Sequence, residues 1–91
     1  MSNVVYIGRN DRDVAYEHRL ECMSREELLS EMVDFQQWRT REGKLSLAMM
    51  IRGIPLFKRL ESVAETTALQ SLTRAYRRHL ELELSSHYEQ R

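Results

Sequence analysis

Residues 24–43 run SREELLSEMVDFQQWRTREG, and the two ends of this stretch carry matching signals. Ser24-Arg25-Glu26-Glu27 has the form of a capping box, in which a serine side chain and a glutamate three residues on each accept one of the free amides at a helix start. Gly43 offers the left-handed conformation that commonly ends a helix. Between them Leu28, Leu29, Met32, Val33 and Phe35 form an apolar stripe with Trp38 at its margin. The spacing predicts a helix over residues 25–42.

Downstream, Leu45, Leu47, Ala48, Met49, Met50 and Ile51 are apolar on nearly every side, the pattern of a short helix over residues 45–52 that is buried all round. Gly53 is expected to end it. Ile54-Pro55 then restarts the chain, because proline suits a first helical turn, and Leu56, Phe57, Leu60, Val63 and Ala64 make the next core face. Thr67-Ala68-Leu69-Gln70 forms a second candidate capping box. A last helix either begins there or continues unbroken from Pro55, since no Gly or Pro follows residue 55. On it Leu69, Leu72, Tyr76, Leu80 and Leu84 recur at steps of three or four. Gln70, Arg74, Arg77, Arg78, Glu81 and Ser85 occupy the other side, and Ala68, Ala75 and His79 widen the apolar arc on one flank.

Upstream the signals are weaker. Val14, His18 and Cys22 share one side of a short helix over residues 14–22, while Tyr16, Leu20 and Met23 share the opposite side. Asn10-Asp11-Arg12-Asp13 is turn and cap material. Asn3 to Gly8 is β-branched and aromatic and stops at a glycine, as a strand or an extended docking arm does. The expected architecture is all-α: a small bundle of three or four helices over residues 14–91, behind an extended arm at residues 1–13. In it the 25–42 helix pairs with the long C-terminal helix as a hairpin, with a short buried helix between them.

A chain of 91 residues builds one domain with one core and has no room for a separate cofactor domain. Its single cysteine, Cys22, rules out an internal disulfide and there is no zinc-ligand spacing, so self-association is the expected supplement to a small core. The apolar stretch from Leu45 to Ile51 is too short to cross a bilayer, and the expectation is a cytoplasmic protein that does not engage membranes. Fourteen basic and fourteen acidic residues cancel, which argues against a general electrostatic grip on nucleic acid. The charge is nonetheless dipolar along the chain. Residues 39–59 carry six basic side chains against Glu42, a net +5, and residues 17–34 carry six acids against Arg19 and Arg25, a net −4.

No phosphate loop, nucleophile elbow, HExxH or CxxC motif occurs. His18 and Cys22, one turn apart, are the nearest approach to a catalytic dyad, and a thiol of this kind is far more often incidental. His79, Glu83 and His87 are spaced for a shared cation, but one helix supplies too few ligands for a tight site. An enzyme is therefore not expected, and neither is a cofactor or a resident metal. The helix, Gly53 and second helix have the outline of a helix-turn-helix. Arg59, however, would fall where that motif buries an apolar residue.

The expected function is a small non-enzymatic regulator or adaptor that binds an unidentified protein and pairs with itself as a homodimer. A DNA-binding regulator using residues 39–59 is the alternative. A chain of this length and composition is the kind of product that bacteria and phages encode as small regulators. For the partner surface the candidates are Trp38, Arg39, Arg41, Met49 and Arg52, since tryptophan and arginine are enriched at interface hot spots and methionine repacks readily. Met49 and Met50 have plain core as their more frequent role. For the dimer interface the candidates are Leu69, Leu72, Tyr76, Leu80 and Leu84, an arc wider than one neighbouring helix covers.

Overall fold

The structure, a computed structural model, describes residues 11–89. Over these the chain is all-α, with four helices and no strand: α1 (Asp11–Cys22), α2 (Arg25–Glu42), α3 (Leu47–Val63) and α4 (Thr67–Glu89). The strand or arm expected near the N-terminus falls on residues 1–10, outside the described residues. Residues 11–13, expected to belong to it, lie in α1. None of the described helices is long and apolar enough to cross a membrane.

Local chemistry sets the bounds of α2. Ser24 Oγ accepts the Glu27 amide at 3.2 Å and Glu27 Oε1 accepts the Ser24 amide at 2.8 Å, so the capping box is complete. At the other end Gly43 takes φ 75° and donates its amide to the Arg39 carbonyl. Of the expected stripe, Leu28 and Phe35 are buried and Met32 is half-buried, while Leu29 and Val33 stay exposed. On α1 the choice between its two faces falls to Tyr16 and Leu20, which are buried, leaving Val14, His18 and Cys22 outside.

The largest departure from expectation is α3, which runs without a break through Gly53 and Pro55. Ser46 caps it by accepting the Met49 amide at 3.2 Å. A proline inside a helix forfeits one backbone hydrogen bond and costs about 3 kcal/mol. That cost is offset by the burial of Met49, Met50, Leu56, Phe57 and Leu60 on the same helix, each worth roughly 1.5–3 kcal/mol. Gly53 is therefore not a stop. It is buried against Leu80 of α4 and Phe35 of α2: an added Cβ would lie 2.7 Å from Leu80 Cδ1 and 2.9 Å from Phe35 Cε2. Only a residue without a side chain permits that approach.

Of the two courses left open for the last helix, the chain takes the break: residues 64–66 separate α3 from α4, which begins at Thr67. Thr66 rather than Thr67 caps α4, its hydroxyl accepting the Leu69 amide at 3.1 Å. The hairpin expected between the 25–42 helix and the C-terminal helix is also replaced. α3 is the central element, packed most extensively against α4 and then against α2 and α1. The core unites Tyr16, Leu20, Leu28, Phe35, Met49, Met50, Leu56, Phe57, Leu60 and Leu80. Across it Glu61 on α3 holds Arg74 at 2.8 Å and Arg77 at 3.1 Å on α4, and Arg77 also reaches Glu81 at 3.0 Å. Arg25 at the start of α2 pairs with Glu65 in the α3–α4 connector.

Candidate functional site: the ends of α2 and the outer face of α4

The five partner-surface candidates do not share one role. Met49 is wholly buried within the core cluster, so it is core and not contact surface. Arg52 is committed to α1: its guanidinium lies over the Tyr16 ring, 4.4 Å from the centroid, a cation–π arrangement. Tyr16 in turn donates its hydroxyl to Glu31 at 2.8 Å. Burial, then the hydrogen bond and the charge of Glu31, push the Tyr16 phenol well above its ordinary value, with Arg52 and Arg19 pulling the other way. Arg52 is thus part of an α1–α2–α3 tie.

Trp38, Arg39 and Arg41 remain together on the last turns of α2. Trp38 is half-buried and meets Phe35 edge-on at 6.2 Å, so one side of the indole packs on the core cluster and the other is open. Phe35 continues edge-on to Phe57 at 5.5 Å and Tyr76 at 6.3 Å, which ties the end of α2 to α3 and α4. Arg41 is exposed and lines a shallow depression with Met32, Val33 and Gln36. Arg39 is half-buried.

The five dimer-face candidates divide as well. Leu80 is wholly buried against α3, and Tyr76 and Leu84 are half-buried against the same core. Leu80 is therefore monomer core, and Tyr76 and Leu84 pack beside it with part of their surface open, because α4 turns the centre of its apolar arc towards α3. Leu69 and Leu72 are left outside, 50% and 66% exposed. Leu82 was not among the candidates, yet it is the most exposed large apolar side chain described, at 71%. Its signal was its place beside Ala68 and Ala75 on the flank of the arc, which the stronger run of Leu69, Tyr76, Leu80 and Leu84 overshadowed.

The helix-turn-helix outline loses its turn, since Gly53 lies inside α3. Arg59 sends its guanidinium to the Glu21 carbonyl and Ser62, each at 3.4 Å, in a cleft shared with Glu17 and Lys58. His18 and Cys22 are both exposed on α1. Among the described residues no group of three His, Cys, Asp or Glu side chains is placed to hold a metal ion, and His79, Glu83 and His87 all face solvent. Comparison with protein-family models, with curated proteins and with solved structures gives no match.

Proposed function

We propose that this chain is a small regulatory or adaptor protein without catalytic activity, which acts by binding another protein and does so as a homodimer. The observation that supports it is the apolar surface left outside a completed core: Leu69, Leu72 and Leu82 on α4, and Leu29 and Val33 on α2, are between 42% and 71% exposed. Scattered apolar side chains are ordinary on a surface, but several on one helix of a small domain mark an interaction face. The end of α2 supplies a second, chemically different surface for an unlike protein, with Trp38 as a part-buried anchor flanked by Arg39 and Arg41. One exposed free thiol, Cys22, agrees with work in a reducing cytoplasm.

Paired capture from the host tests this. Tagged wild-type protein should retain a partner that Arg39→Glu/Arg41→Glu loses and that Lys58→Glu, an exposed change on α3, keeps. Equal recovery of every retained protein by all three forms would contradict the assignment of that surface.

A further inference from the structure

Six residues on the outer side of α4 recur at steps of four, three, four, three and four: Ala68, Leu72, Ala75, His79, Leu82 and Ser86. Alternation of three and four is the heptad spacing that keeps a seam straight along a pair of helices. At 3.6 residues per turn the seam lies about 120° round the helix from Leu80, so it is separate from the face that packs on α3. Five of the six are exposed and Ser86 is half-buried. The seam spans about 27 Å at 1.5 Å per residue.

We infer that this seam is the homodimer contact, a parallel two-stranded coiled coil of α4 with α4 of a second copy; the inference rests on the self-association proposed above and says where and how it occurs. Orientation follows from charge. With Leu72 and His79 at one class of core position and Ala75 and Leu82 at the other, Arg78 and Glu83 flank the seam on opposite sides, five residues apart. In a parallel pair, the flanking position of one helix faces the opposite flanking position five residues later on its neighbour, so Arg78 of each copy meets Glu83 of the other, twice by symmetry. In an antiparallel pair like flanks meet, and Arg78 would face Arg78.

Both of these charges are also available. Arg74, Arg77 and Glu81 on the same helix are engaged within the chain, through Glu61 and through each other. Arg78 and Glu83 are exposed and make no hydrogen bond or ion pair among the described residues. Leucine layers at Leu72 and Leu82 supply the apolar contact, Ala68 and Ala75 let the backbones close up, and the polar His79 in the seam selects register at some expense of affinity. Because α4 is already held as a helix by α3, pairing does not have to fold it.

Light scattering coupled to gel filtration over a concentration series reads the result. Wild-type protein should run at twice its 10.9 kDa chain mass. Leu72→Glu and Leu82→Glu should each run at the chain mass with unchanged helicity, as changes at exposed positions. Arg78→Glu and Glu83→Arg should each weaken association about tenfold, and the double variant Arg78→Glu/Glu83→Arg should recover it, since each exchanges two symmetric cross-chain attractions for repulsions. A wild-type dimer untouched by the leucine changes would overturn the seam while leaving self-association standing. A dimer that Leu82→Glu breaks but Arg78→Glu does not weaken would overturn the parallel arrangement. A monomer at every concentration would overturn both the seam and the self-association it rests on.

Discussion

Among the described helices α3 and α4 are the two most amphipathic, and they dispose of their apolar residues in opposite ways. α3 buries Met49, Met50, Gly53, Leu56, Phe57 and Leu60 within 17 residues, whereas α4 buries only Leu80 within 23. The central helix has neighbours on three sides and uses its apolar surface up inside the monomer. The peripheral helix has one extensive neighbour and a second apolar side left over. Leu80 and Leu82 show the contrast at its smallest scale: two residues apart, one is fully buried and the other is 71% exposed. A leucine's type and its helix therefore say little about its job. The position of α3 decides it.

The contact between α3 and α4 depends most on Leu80. Truncating it to alanine empties space between α3, α4 and Phe35, and should lower the free energy of unfolding by about 2–5 kcal/mol in urea titrations. A loss below the effect of an ordinary surface change would mean that α4 does not depend on that contact.

Gly53→Ala probes the same junction from the α3 side with a smaller effect. Alanine is favoured over glycine in a helix by about 1 kcal/mol, but its Cβ would press on Leu80 and Phe35, and overpacking costs about 1–3 kcal/mol. The expected outcome is a net loss of about 1 kcal/mol, seen as a lower Tm. A gain in Tm would show that the approach of the three helices is looser than described.

Glu61 joins the two helices by charge, and its effect is smaller and pH-dependent. The hydrogen bond from Arg74, with help from Arg77 and against some desolvation, holds the Glu61 carboxyl below its ordinary value. A group depressed in the folded state contributes stability above its unfolded pKa and loses it as pH falls through the folded one. Wild-type Tm should thus fall more steeply than that of Glu61→Gln as the solution is acidified below the ordinary carboxylate range. Parallel profiles would show that the Glu61–Arg74–Arg77 contact adds nothing.

What could be read from residues alone follows the same division between local and distant causes. The bounds of α2 were legible because Ser24, Glu27 and Gly43 act within one turn of the helix ends they define. The fate of Gly53 was not, because the reason for a glycine there is the close approach of Phe35 and Leu80, which are 18 and 27 positions away in sequence. Tertiary packing overrode the local tendency of Gly53 and Pro55 to interrupt a helix. On α4 the width of the apolar arc was legible, but its division into an inner and an outer side was not, since both sides repeat every three or four residues. Met49 was ambiguous for a similar reason: on a helix apolar all round, only the neighbours determine which side chains remain accessible.

The most direct test of the account sets the two neighbouring leucines side by side, with molar mass and helicity measured on Leu80→Asp and Leu82→Asp under identical conditions. Leu80→Asp should lose helicity, because it buries a charge in the core. Leu82→Asp should keep the wild-type circular dichroism spectrum while its mass drops from two chains to one. Retained helicity in Leu80→Asp, or a Leu82→Asp protein that unfolds, would contradict the division of α4 into an inward face that builds the monomer and an outward face that binds.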